Sequence, residues 1–209
     1  KRHHQGTVMS SNSSFRFLLP ALLIVAATQA QAHIGQGAVG GFWSGFFHPL
    51  FGLDHIVAMV GVGLWGAFLG APAIWMLPVV FPLIMSFGGM LGIMGVPIPG
   101  GETVIETGIA LSGIVLGAAV LFGIRPPNWV AAIVVGLFAI CHGYAHGAEM
   151  PGAANAFSFA IGFVVATGLL HMCGIALGFL TLVPKGQYLV RTLGGAISVV
   201  GFGFLFGYL

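Results

Sequence analysis

The sequence predicts an all-α, polytopic membrane protein with six transmembrane helices after a cleaved signal peptide. Of its 209 residues, 58% are hydrophobic and only 5% are charged, whereas soluble domains carry about a quarter charged residues. The 35 glycines are scattered among aliphatic residues, which is typical of packed transmembrane helices because small residues let backbones approach closely. We therefore expect the lipid bilayer to surround most of the chain.

The first 32 residues are interpreted as two segments outside this fold. Residues 1–8 precede Met9 and have the character of a tag or an upstream extension. Residues 9–32 contain a short apolar run and end in Ala30-Gln-Ala32, which is typical of a signal-peptide cleavage site. Cleavage there would make His33 the first residue, with an amino group and an imidazole able to chelate a metal; the alternative is a plain polar terminus.

Residues 33–209 are predicted to form a single transmembrane domain. A helix needs about 20 apolar residues to cross a bilayer, and this part of the chain offers six such stretches separated by Pro/Gly-rich breaks. They cover residues 48–69, 74–94, 104–123, 129–149, 154–183 and 188–208.

The basic residues predict the orientation. Arg125, Lys185 and Arg191 fall in breaks on one side of the predicted membrane, and cytoplasmic loops are the ones that retain Lys and Arg. A cleaved signal peptide independently places His33 outside. We therefore expect a bacterial inner-membrane protein whose mature N-terminus and C-terminus are both periplasmic.

A first polar cluster opens the first predicted span. It reads His48-Pro-Leu-Phe-Gly-Leu-Asp54-His55-Ile-Val-Ala-Met59. On one continuous helix, positions 48, 55 and 59 return to the same face, so His48, His55 and Met59 are predicted to form a stripe with Asp54 on its flank. Ionisable groups are costly inside a membrane and indicate a functional site.

A second polar cluster closes the fourth predicted span. His142 and His146 are spaced i, i+4 and Glu149 follows three residues later, so all three share a helix face. Gly143 and Gly147 leave room there for an ion or for a closely packed helix. Both clusters are predicted at the periplasmic side, which permits a joint site.

Imidazoles with one or two carboxylates favour the borderline transition metals Ni²⁺, Co²⁺, Cu²⁺ and Zn²⁺. Single residues are ambiguous: His171, in the fifth span, fits either a metal ligand or a buried hydrogen-bonding histidine. Met59 and Cys141 are interpreted as core residues, since thioether and thiol ligands would favour Cu⁺.

The composition limits which molecules, besides a metal ion and lipid, the chain is expected to bind. A net charge of +2 from so few ions gives no basic surface for nucleic acid. Small-xxx-small pairs would suit helix contacts, including those of a homo-oligomer. These pairs are Gly66/Gly70, Gly113/Gly117, Gly174/Gly178 and Gly203/Gly207. No prosthetic group is indicated.

The two clusters together resemble the HupE/UreJ family of nickel and cobalt permeases. The first matches that family's H-P-x-x-G-x-D-H-x-x-A-M motif and the second its H-G-x-A-H-G-x-E motif; residues 166–171 are similar to its fifth-helix segment. The resemblance implies secondary uptake of Ni²⁺ or Co²⁺ for metalloenzyme or cobalamin assembly. It also implies that the metal ligands are His48, Asp54, His55, His142, His146 and Glu149.

Three functions are compatible with these residues. A permease, which is not an enzyme, explains both the ligands and the spans. An intramembrane zinc hydrolase, with Glu149 or Asp54 as base, would also need a substrate cleft that no sequence feature supplies. A metal sensor or assembly partner explains the ligands but not six spans without a signalling domain. We expect the permease.

Overall fold

The computed structural model describes residues 41–150 and 155–209, and this part of the chain is all-α. The signal peptide and His33 lie outside the described residues. The helices are α1 (Phe42–Phe51), α2 (Leu53–Leu69), α3 (Ala73–Ile93), α4 (Gly101–Leu121), α5 (Asn128–Ala148), α6 (Ala156–Gly178) and α7 (Gly186–Leu205). A 3-10 turn, Phe179–Leu182, extends α6.

Five of these helices are long and apolar enough to cross a membrane, and α1 with α2 makes a sixth span if that bent pair is counted as one. The many large apolar side chains that face outwards, such as Trp75, Leu83 and Trp129, suit a lipid environment. The chain is a multi-pass membrane protein, and the all-helical character of residues 41–150 and 155–209 is confirmed.

The first predicted span is not one straight helix. The chain bends by 85° between α1 and α2 at Gly52, whose φ of −85° and ψ of 115° are extended rather than helical. The predicted stripe of His48, His55 and Met59 along one continuous helix is therefore wrong. A β-carbon at Gly52 would stand 2.8 Å from side-chain atoms of Asp54 and His55, so glycine makes room for that pair at the break.

The helices associate mainly in pairs: α3 with α5, α4 with α7, and α6 with both α1 and α2. Glycines lie where backbones touch. A β-carbon at Gly143 or Gly147 of α5 would collide with backbone carbonyls of α3, and one at Gly63 of α2 would collide with the His171 carbonyl of α6. Of the two alternatives at Gly143 and Gly147, the closely packed helix is the one observed.

Two of the four predicted glycine pairs lie at helix contacts within the chain, whereas a β-carbon at Gly70 or Gly207, in the other two pairs, would meet nothing within 4 Å. Gly113 and Gly117 face α7, and Gly174 and Gly178 face α2. A homo-oligomer stays a prediction, and it would have to use other surfaces than these faces.

Charge is divided between the two ends of the bundle. At one end, the Arg125 guanidinium carbon lies 4.6 Å from the centroid of the Phe68 ring, and the Arg191 guanidinium lies beside Gly123. Lys185 precedes α7 at this same end. The carboxylates lie at the other end, where α2 and α4 begin and α5 ends.

Candidate metal centre

Three buried imidazoles meet at the carboxylate end of the bundle. His55 comes from the start of α2, and His142 and His146 come from the end of α5. One ring nitrogen of each lies within 4.8 Å of the other two, and Nε2 of His55 points at Nε2 of His146. Two such nitrogens facing each other need a proton or a cation between them. We call these three residues the inner trio.

Asp54 orients the first member of the inner trio. Its Oδ2 lies 2.8 Å from Nδ1 of His55. The contact is not in line for a full hydrogen bond, but a carboxylate this close favours the proton on Nδ1. Nε2 then keeps its lone pair for a metal, as in the carboxylate–histidine pairs of metal sites. Asp54 thus acts through His55.

Ser112 of α4 orients the second member. Its hydroxyl donates to the Ile109 carbonyl at 2.6 Å and lies 3.0 Å from Nε2 of His142. A hydroxyl has one hydrogen; with that hydrogen engaged by the carbonyl, we assign the serine oxygen as the acceptor of an Nε2–H of His142. The remaining nitrogen, Nδ1, is buried without a hydrogen-bond partner in the described part of the chain. It is therefore the atom that can bind a metal.

A second, more exposed group adjoins the inner trio. It consists of His48, His146 and Glu149, each of which has one ligand atom within 4.8 Å of those of the other two. The ring centroids of His48 and His146 are 4.7 Å apart. His48 and Glu149 are exposed. We call these three residues the outer trio; His146 belongs to both trios.

An acidic cleft lies at the same end of the bundle as the site, and we call it the acidic mouth. The chain's four acidic residues all belong to this end, and an open cleft of about 440 Å³ is lined by Asp54, Glu102 and Glu106. Burial and the nearby charge of Glu106 raise the pKa of Glu149 above its usual value. Such a concentration of negative charge attracts cations from the aqueous side.

The structure therefore brings the six main predicted ligands together at one end of the bundle, as the joint-site hypothesis required. Although the helix is broken at Gly52, His48 still approaches His55, with ring centroids 6.2 Å apart. His171 lies apart from both trios, behind Phe81. Met59 is fully buried in the apolar core; Cys141 is partly exposed, and neither belongs to a trio.

Sequence reasoning missed Ser112, Phe81 and the pair Glu102/Glu106 as neighbours of the site. The two glutamates carried a signal, because their i, i+4 spacing puts both on one helix face. Ser112 carried almost none: it precedes Gly113 in an apolar run, and a small residue there is equally typical of helix packing.

Comparison with known proteins adds an independent line of support. A family model described as HupE / UreJ protein matches residues 21–204. Among curated proteins, the chain is similar to Protein HupE of Rhizobium leguminosarum bv. viciae, with 44% identity over 178 residues that cover 85% of this chain and 91% of the relative. No solved structure gives a significant match.

Proposed function

The chain belongs to the HupE/UreJ family, whose members generally transport nickel or cobalt, and we propose that it takes up Ni²⁺ or Co²⁺ across the inner membrane by secondary transport. The observation that carries this proposal is the inner trio, in which α2 and α5 bring His55, His142 and His146 within reach of one ion. A buried cluster of imidazoles is expensive in a membrane unless it serves a cation or proton path.

The donors favour a borderline transition metal as the substrate. Imidazole nitrogens suit Ni²⁺, Co²⁺, Cu²⁺ and Zn²⁺, whereas Mg²⁺ and Ca²⁺ prefer oxygen ligands. The contacts with Asp54 and Ser112 leave lone pairs on His55 Nε2 and His142 Nδ1 available to a metal. Ni²⁺ and Co²⁺ are proposed ahead of Zn²⁺ and Cu²⁺ because of the family.

The two trios suggest a two-stage path for the ion. The acidic mouth draws in a hydrated cation, and the outer trio exchanges some of its waters for His48, Glu149 and His146. Because His146 also belongs to the inner trio, the ion can pass inwards without losing all protein ligands at once. His55 and His142 then complete its coordination.

The direction of transport follows from the charge distribution. Arg125, Lys185 and Arg191 at the far end of the bundle correspond to a cytoplasmic side under the positive-inside rule. The acidic mouth would then face the periplasm, with the mature N-terminus and the C-terminus on that side. An inside-negative potential favours inward movement by about 2.3 kcal/mol per charge per 100 mV.

The driving force is proposed to be a gradient or the membrane potential. The sequence contains no G-x-x-x-x-G-K-[ST] loop, the phosphate-binding motif that a P-loop motor requires. His33, which lies outside the described residues, is proposed as an additional capturing group if cleavage follows Ala32.

The zinc hydrolase alternative is not supported. Members of this family are transporters or accessory proteins, and the cavity next to His146, about 180 Å³ between α3, α5 and α6, is lined almost entirely by apolar groups. No second function is favoured by a specific observation.

Liposomes containing the purified protein test the proposal. Wild-type protein should accumulate Ni²⁺ or Co²⁺ when a potential, negative inside, is imposed, and His55→Ala and His142→Ala should each abolish accumulation. Met59→Leu is the matched control, since this equally buried α2 residue belongs to neither trio, and it should transport normally. Wild-type uptake by either histidine variant at equal protein level would remove that residue from the site, and hydrolysis of added lipid without uptake would overturn the proposal.

A further inference from the structure

One buried histidine lies outside both trios. His171, on α6, is only 1% exposed, and neither of its ring nitrogens has a hydrogen-bond partner in the described part of the chain. A buried imidazole without partners is costly in a membrane. Its position therefore calls for a ligand.

A backbone carbonyl on the neighbouring helix faces this imidazole. Pro78 and Pro82 both lie inside α3. The carbonyl of Pro78 would normally accept from the N–H of residue 82, but proline has no N–H. This carbonyl lies beside the His171 ring and acts on it, although the two groups do not reach the distance and angle of a full hydrogen bond. Pro82 thus frees an oxygen beside an unpartnered nitrogen.

A third polar group completes the set. Thr167 lies one turn before His171 on the same face of α6. Its side chain is fully buried, and its Oγ1 also has no hydrogen-bond partner among the described residues. Threonine hydroxyls in membrane helices usually bond to the carbonyl one turn earlier, so an unbonded one is a further available oxygen.

The set lies deeper in the bundle than the inner trio. Phe163 of α6 touches His146, with ring centroids 4.5 Å apart, and His171 follows eight residues later, which is about 12 Å along a helix. On α2 the same rise separates His55 from Gly63, whose backbone contacts the His171 carbonyl. Both helices therefore place His171 about 12 Å deeper in the bundle than the inner trio.

The Phe81 side chain lies against both positions. The Phe81 ring centroid is 5.8 Å from that of His142 and 5.4 Å from that of His171. In the proposal developed below, movement of this ring opens the way between the inner trio and the deeper set.

We propose that His171, the Pro78 carbonyl and Thr167 form a second binding position for the transported divalent cation, one step further towards the cytoplasm. This inference rests on the proposed function. One imidazole and two neutral oxygens bind Ni²⁺ or Co²⁺ more weakly than three imidazoles do. A weaker position after a tighter one lets an ion leave towards the cell interior, since conduction needs sites that release as well as bind.

Equilibrium dialysis of the purified full chain against Co²⁺ alone tests the binding claim. Wild-type protein should bind two ions, the second at least about tenfold more weakly than the first. His171→Ala should lose the weaker ion, keep the tighter one, and transport poorly in liposomes. Cys173→Ala, an exposed position on the same helix, should leave both ions and transport unchanged.

The two prolines supply a matched pair that alters no side-chain ligand. Pro82→Ala restores an N–H that pairs with the Pro78 carbonyl, so the weaker ion should be lost or its affinity reduced about tenfold. Pro78→Ala removes the neighbouring kink but leaves the carbonyl of residue 78 without its donor, so both ions should be retained. The two proline variants also test the second binding position if His171→Ala does not fold.

The proposal is overturned if wild-type protein binds one ion, if His171→Ala still binds two, or if the two proline variants behave alike. Two-ion binding by a wild-type protein that transports neither metal would contradict the proposed function and leave the second position standing. Uptake of either metal by a protein that binds only one ion would contradict the second position and leave the proposed function standing.

Discussion

Ser112 Oγ lies 3.0 Å from Nε2 of His142 while it donates its only hydrogen to the Ile109 carbonyl. This pattern assigns the proton of a fully buried imidazole to Nε2, and the assignment leaves Nδ1 of His142 as the metal-binding atom. Helix α4, which carries no predicted ligand, thus influences which nitrogen of His142 on α5 can bind a metal.

The first prediction follows from that contact. Ser112→Ala should lower the affinity for Co²⁺ by about 10- to 100-fold, the usual cost of losing a group that orients a metal ligand, because the His142 proton is no longer held on Nε2. The measurement is a Co²⁺ titration of the purified protein.

Ser198→Ala is the matched control for Ser112→Ala. Its hydroxyl also donates to a helix carbonyl, that of Ile114, but it touches no histidine in the structure. Equal loss of affinity in both variants would show that the hydroxyls act only on helix packing.

The second prediction concerns the break between α1 and α2. Gly52→Ala should reduce uptake about tenfold or more, because the new methyl group pushes against the Asp54–His55 pair and disturbs an oriented ligand. Gly168→Ala, where a β-carbon meets nothing within 4 Å, should transport normally. Normal uptake by Gly52→Ala at equal protein level would mean that the pair tolerates displacement.

The third prediction tests orientation. In a background with Cys141 and Cys173 replaced by alanine, a cysteine at Pro99 should be labelled by an impermeant reagent from outside spheroplasts, and one at Gln187 should be protected. Both positions are exposed, and Pro99 is preferred to Gly100, whose φ of +87° is strained for cysteine. The opposite labelling pattern would invert the proposed direction.

The sequence allowed the helical architecture and the main ligands to be predicted for a physical reason. Apolar runs of about 20 residues have few alternatives to spanning a bilayer, and six rare polar residues in two tight motifs stand out against them. What it could not reveal was the 85° bend at Gly52, because residues 48–69 are long and apolar enough on average for one span, and glycine is tolerated within such a helix.

Contacts between distant helices were equally hidden. Nothing in the spacing links Ser112 to His142, or Phe81 to His171, since each pair depends on how helices rotate against one another. The two prolines of α3 are visible in the sequence, and a proline inside a helix frees a backbone carbonyl. Only the three-dimensional arrangement shows that the carbonyl freed by Pro82 faces an unpartnered imidazole.

The last prediction separates capture of the ion from its passage. His48 and Glu149 belong only to the outer trio, whereas His142 belongs only to the inner trio. Loss of an outer ligand should slow capture when metal is scarce, but at saturating metal the inner trio still fills. Glu149→Gln and His48→Gln should therefore raise the KM for uptake about tenfold or more with little change in maximal rate, while His142→Ala should lower the maximal rate itself.

His146→Ala should show both defects, because its imidazole serves both trios. Thr107→Val is the control at the same mouth: Thr107 lines the acidic cleft but belongs to neither trio, so its kinetics should match those of wild type. Initial rates measured across a range of Ni²⁺ concentrations in liposomes give the two constants for each variant. A lowered maximal rate with unchanged KM in Glu149→Gln would place that carboxylate in the passage step and contradict the two-stage path.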